Sequence, residues 1–348
     1  MGDRQEGSPH RGVGGEDRLH RNRLGRHDAQ DRVRRLTLLD RRLLFVTGKG
    51  GVGKTTAAAA LAELAASLGK RTLVCEMDAK GSLSTAFDVG PLGFAPTQVG
   101  ERLWAMQMNT EDSLREYLRL FVRIPLVARI GPLARTFDFV ADAAPGVKEI
   151  LAVGKLCYEV RERHYDLVVV DAEASGHIVA QIAAPTVIRQ LVQVGLVRDQ
   201  TDWMLEILDD AACTGLVVVT TPEEMPVVET IELIDRVHRE TKVDVAAVVA
   251  NRVLPALFSE RELEVFGRLQ SPAARAEVVA LGGREATTVL DAAALNEARR
   301  QVGAGHLERL RRALDPRTPL LAVPELFTRA TGRRVVTLMA EAIHDEVA

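Results

Sequence analysis

Between Leu43 and Gly69 the chain passes without a break through an apolar run, a glycine-rich loop and an alanine- and leucine-rich segment. No other stretch restricts the possible folds so tightly. Leu43-Leu44-Phe45-Val46-Thr47 reads as a buried strand. Gly48-Lys49-Gly50-Gly51-Val52-Gly53-Lys54-Thr55-Thr56 follows the spacing G-x-x-x-x-G-K-[ST], with Gly48, Gly53, Lys54 and Thr55 at the fixed places. Ala57 to Leu68 are strong helix formers, and Gly69 is a helix stop. Strand, loop and helix in that order form an anion cradle. Glycines let successive backbone N–H groups point inward at phosphate oxygens. The positive end of the helix adds to the same site. Lys54 is expected to reach the β- and γ-phosphates, and the Thr55 hydroxyl to ligate Mg²⁺. The expected cofactors are therefore ATP and Mg²⁺.

The rest of the chain supports an α/β reading. Its 348 residues are 47% hydrophobic, enough for a large core. The formal net charge is −3 and aromatics make up 4%, which argues against a general nucleic-acid binder. Cys75, Cys157 and Cys213 lie far apart, with no C-x-x-C pair, so no zinc or disulfide framework is expected and a reducing cytoplasm is the default. No apolar run is long enough to span a bilayer. Residues 1–40 are rich in Arg, Gly, His and Asp and poor in large apolar residues, so they are expected to be a disordered extension before a domain at 41–348.

Acids recur at predicted strand ends, where ligands sit in an open parallel sheet. Arg71 to Asp78 reads as a second strand ending at Asp78, which could orient an attacking water. Tyr165 to Val170 reads as a central strand ending at Asp171, placed to help hold Mg²⁺. Gly176 and His177 follow, Gly176 allowing a backbone approach to phosphate. Further strands end near Thr220, followed by Glu223, and at Asn251, whose amide carries both donor and acceptor and could meet an adenine edge. A late strand ends at Pro324. Apolar residues at helical spacing predict a helical insertion over about 110–165, with further helical segments near 185–212 and 255–316. A closing helix carries Val335, Leu338, Met339, Ala342 and Ile343 on one face, read as a core stripe.

These motifs together resemble the arsenical-pump and tail-anchored-protein-targeting ATPases, within the deviant-Walker-A class of dimeric P-loop proteins. The loop KGGVGKTT carries the extra lysine, Lys49, which in that class crosses a dimer interface to the phosphates of the other subunit. Asp78 matches the catalytic aspartate of the switch I motif D-P-A-H, here Asp78-Ala79-Lys80-Gly81. Asp171, Gly176 and His177 match switch II, D-T-A-P-T-G-H, which here reads Asp171-Ala172-Glu173-Ala174-Ser175-Gly176-His177 without the proline. Pro145-Gly146 with Glu149, Glu223, Glu229-Thr230, Asn251 and Pro324 match weaker family positions, Glu223, Asn251 and Pro324 on the nucleotide. The family's zinc C-x-x-C and arsenite-binding cysteine triad have no counterpart.

The resemblance implies a P-loop NTPase fold, with a mostly parallel central sheet, flanking helices and a helical insertion. It implies a cytoplasmic ATPase, or one peripheral to a membrane, that pairs with itself or with a related chain. Lys54, Lys49 and Asp78 would act in catalysis, and Thr55 and Asp171 on Mg²⁺. The first function expected is ATP-driven switching of the helical region around a hydrophobic or membrane-protein client. The alternatives are energising an arsenite or anion exporter, a partition- or division-type positioning ATPase, and a small-molecule kinase or ligase.

Overall fold

The computed structural model describes residues 38–78, 80–119, 147–192 and 194–347. One eight-stranded sheet runs through them: β1 (Leu43–Gly48), β2 (Thr72–Glu76), β3 (Thr97–Gly100), β4 (Leu103–Gln107), β5 (Leu167–Asp171), β6 (Thr214–Thr220), β7 (Asp244–Val253) and β8 (Leu320–Pro324). The order across the sheet is β3-β4-β2-β5-β1-β6-β7-β8. All neighbours are parallel except the edge pair β3 and β4. The fold is thus α/β of the P-loop type, as the sequence predicts.

β1, β2, β5 and β6 are buried along their whole length, which is why they read as continuous apolar runs rather than alternating ones. β1 lies between β5 and β6, and the chain winds away from it in both directions. The carboxyl end of β1 is therefore a topological switch point, the usual ligand crevice of such sheets. Glycine-loop residues 48–53 lie there. The helix that follows, α1 (Lys54–Ser67), buries Ala57 to Ala62 and Leu64 to Ala66. Small side chains let it sit close to the sheet on one side, while on the other it packs against α10 (Arg333–Val347).

The remaining helices are α2 (Ser82–Ala86), α3 (Thr110–Tyr117), α4 (Val147–Arg161), α5 (Ser175–Leu191), α6 (Leu196–Leu208), α7 (Glu224–Glu240), α8 (Glu260–Leu269) and α9 (Pro272–Ala313). α9 is broken at Gly283, where φ is 70°. α3 and α4 are the described part of the helical insertion. They pack on each other, and α4 also packs on α5 and α6.

Some expectations shift. Leu38 and Leu39 are buried in the core, so the packed chain reaches past the expected boundary at 40. The rest of the proposed extension, like Pro145 and Gly146, lies outside the described residues. The buried face of α10 is centred on Val336, Met339, Ala340, Ile343 and Val347. That is one position on from the predicted stripe, with Val335, Leu338 and Ala342 at its half-buried margin. β3 was not expected: only Val99 of its four residues is buried, and its extended state comes from pairing with β4.

Candidate functional site

The loop after β1 closes through two glycines whose positive φ and close neighbours disfavour any side chain. Gly48 has φ +151°, and a Cβ there would lie 2.1 Å from the Val219 carbonyl oxygen. Gly53 has φ +95°, and a Cβ would lie 2.5 Å from the Asn251 amide nitrogen. The glycines let the loop run against β6 on one side and β7 on the other.

Around this loop the structure gathers most of the expected residues. Lys54 Nζ donates to the Lys49 carbonyl at 3.2 Å, folding back over the loop. Burial lowers the Lys54 pKa, and the charge of Lys80 pushes the same way, against Asp171 and Asp78. The Thr55 hydroxyl donates to Asp171 Oδ2 at 2.6 Å. Asp171 is held at the end of β5, where burial pushes its pKa up to about 6. The charges of Glu76 and Asp78 add to this, and the Thr55 hydrogen bond and Lys54 oppose it. Thr55 and Asp171 thus offer adjacent hard oxygen donors inside a cluster of negative charge, the chemistry that suits a divalent cation carried with phosphate.

Asp78 stands beyond β2, ion-paired with Lys80. The Met77 N–H donates to the Asp171 carbonyl at 3.0 Å, tying this segment to β5. Gly176 and His177 lie in the first turn of α5, and nothing stands within 4 Å of where a Gly176 Cβ would be. The Thr47 hydroxyl donates to the Glu173 carbonyl at 2.9 Å, joining the end of β1 to this segment.

Four expected residues lie apart from this cluster or are engaged elsewhere. Lys49 pairs with Glu229 of α7 in its own chain, at 2.5 Å. Asn251 donates from its amide to the Val52 carbonyl at 2.8 Å and accepts from the Arg252 N–H at 2.9 Å. Contact with a base edge would require it to leave the loop. Glu223 stands at the N-cap position of α7, without a side-chain capping bond, and lines a cavity of about 610 Å³ at the carboxyl ends of β6, β7 and β8. Pro324 precedes Glu325, which lines the same cavity. Its far wall is Arg299, Val302 and His306 of α9, a helix whose sequence reads only as a solvated, charged face. Glu76 is a further buried acid at the site, two residues before Asp78. Its signal was its place as the last residue of an apolar run.

A cavity of about 280 Å³ opens between α3, α4, α5 and α6, lined chiefly by apolar side chains including Leu114, Ile150, Ile188, Val197 and Met204. Lys155 at its margin pairs with Glu116 of α3 at 2.8 Å and Glu159 of α4 at 2.6 Å.

A family model described as "Anion-transporting ATPase" matches residues 41–198 and 193–271. The chain belongs to the anion-transporting ATPase family. It is an ATP-hydrolysing enzyme of the P-loop class. Among its relatives, ATPase BagA of Mycobacterium tuberculosis is 30% identical over 254 residues, covering 69% of this chain and 74% of that protein. ATPase ASNA1 homolog 1 of Paramecium tetraurelia is 28% identical over 253 residues, covering 61% and 74%. The loop between β1 and α1 lies inside the matched region. Among the described residues, no helix is long and apolar enough to cross a membrane.

Proposed function

We propose that the chain is a Mg²⁺-dependent ATPase that works as a dimer and uses hydrolysis to reshape its helical region around a protein client bearing an exposed apolar segment. The continuity of α5 carries this reading. The helix starts four residues after Asp171, and its last turn places Ile188 on the apolar cavity. In this reading a shift at the nucleotide is passed along α5, through the turn that holds Pro185, to the cavity wall. The similarity to an ASNA1 homolog fits a client-handling role.

In this reading the loop N–H groups, Lys54 and Lys49 hold the triphosphate. Thr55 and Asp171 would hold Mg²⁺, which would supply neutralisation of the phosphate charge. Asp78 orients the attacking water. Gly176 offers its backbone to the γ-phosphate, and the cavity beside Glu223, Asn251 and Pro324 takes the base. The test uses a labelled peptide of one membrane-spanning helix and the Asp78→Asn variant, which is expected to bind ATP but turn it over slowly. Binding with Mg-ATP that weakens with Mg-ADP, and that is lost in Val197→Asp, supports the reading. Equal binding in both nucleotide states, or none, sinks it.

The family description supports a second reading, a subunit that energises an anion exporter. The cysteines give it little help as soft-anion ligands. Cys75 and Cys157 are buried, and burial pushes both thiol pKa values up. Stimulation of turnover by arsenite or antimonite would favour this second reading.

A further inference from the structure

Glu76 is the acid at the site that the roles above leave without a task. It ends β2, is 2% exposed, and lies level with Asp171 in the parallel register of β2 and β5. A carboxylate at such depth needs hydrogen-bond donors. It finds them six and seven residues further on. Oε1 accepts from the Ser82 N–H at 2.8 Å, and Oε2 more weakly from the Leu83 N–H at 3.4 Å. These N–H groups open α2, whose N-cap is Gly81 and which has no side-chain cap of its own. The chain thus leaves the sheet at Glu76 and is fastened back to it at Ser82, with Asp78 between. Backbone bonds hold the segment on either side, from the Met77 N–H to the Asp171 carbonyl and from the Lys80 N–H to the Asp78 carbonyl, but the Asp78 side chain itself is held loosely. It is 48% exposed and its partner Lys80 is 72% exposed, and an exposed pair of this kind holds geometry weakly.

We propose that Glu76 is a positioning residue for ATP hydrolysis: its carboxylate closes the loop from Glu76 to Ser82 and so holds Asp78 in place beyond the end of β2. This rests on the water-orienting role proposed for Asp78. The charge of Glu76 alone does not do the work. What matters is an acceptor long enough to reach Ser82.

The experiment measures kcat, KM and direct ATP affinity on the full chain for Glu76→Ala, Glu76→Asp, Glu76→Gln, Asp78→Asn and the Glu76→Ala/Asp78→Asn double variant. Glu76→Ala is expected to lower kcat about ten- to a hundredfold, the scale of a misplaced catalytic group, with ATP affinity within about twofold of the parent. Glu76→Asp keeps the charge but is one methylene too short, so it is expected to lose kcat as well. It carries the test if Glu76→Ala does not fold. Glu76→Gln still presents an oxygen to the Ser82 N–H and is expected to recover much of the loss. The double variant is expected to be no slower than Asp78→Asn, because Glu76 acts through Asp78. Losses that multiply in the double variant, parent-like kcat in Glu76→Asp, or a loss that appears only in KM would overturn the positioning role while leaving Asp78 in place. Undiminished turnover in Asp78→Asn would overturn the reading of Asp78, and the positioning role with it.

Discussion

Asp171 carries the clearest single-residue consequence, because its surroundings hold a proton that a solvated aspartate would have lost. Its pKa is about 6 in the folded chain against an ordinary value of 3.8. Between those values the folded chain binds a proton that the unfolded chain has released. The contribution of this group to stability is therefore full below the ordinary range and is lost as pH rises through about 6. In the metal-holding role proposed for Asp171, a divalent cation would take the place of that proton. Mg²⁺ with ADP is thus expected to raise the melting temperature more at pH 7.5 than at pH 5, and thermal melts at the two values check it. An equal rise at both would remove Asp171 from the metal site. Lys54 and Gly53 give companion tests. Lys54→Ala is expected to abolish ATP turnover, since it deletes the cation folded over the loop. Gly53→Ala combines φ +95° with a Cβ set 2.5 Å from the Asn251 amide. It is expected to lose ATP binding in a direct titration with a fluorescent nucleotide.

Elements differ in how much of themselves they write into the sequence. The segment from β1 to α1 was legible because three local signals agree: a buried run, the glycine spacing and a stretch of helix formers. β5 was legible because a strand covered on both faces has no polar positions until it ends at Asp171. β3 was not, because a four-residue edge strand with one buried side chain takes its shape from its neighbour. Glu76 was also hidden. The sequence predicts a strand running on to Asp78, whereas β2 stops at Glu76, and the bonds of Glu76 to Ser82 and Leu83 depend on how the loop returns. Nor could α9 be seen to wall the cavity beside Glu223, since Arg299 and His306 look like any solvated charges until β8 and α7 are in place. α1 gives the stability test at this scale. Leu61 is fully buried in a helix packed tightly between sheet and α10. Leu61→Ala is expected to cost about 2–5 kcal/mol, read by urea denaturation. A cost under about 1 kcal/mol, the range of a surface substitution, would mean that α1 packs more loosely than described.

At the scale of the whole molecule, the question is where Lys49 goes when nucleotide binds. In the single chain it lies on Glu229, both side chains about a third exposed. Partly solvated pairs of this sort contribute about 0–1 kcal/mol, so a triphosphate on a neighbouring subunit could draw the lysine away. The proposed dimer then has a built-in restraint: Glu229 competes within the chain for the lysine that the partner's nucleotide needs. Light scattering on the Asp78→Asn variant is expected to report a monomer mass without nucleotide and a dimer mass with Mg-ATP. Adding Lys49→Ala should weaken the ATP-driven gain, because the cross-subunit cation is missing. Adding Glu229→Gln should instead let the dimer form at a lower ATP concentration, because the competitor has lost its charge. The two changes remove opposite partners of one ion pair, so mere loss of that pair would move both in the same direction. Opposite shifts would therefore assign Lys49 to the interface. Shifts in the same direction would return it to a structural contact with α7, and a mass unchanged by ATP would end the dimer reading itself.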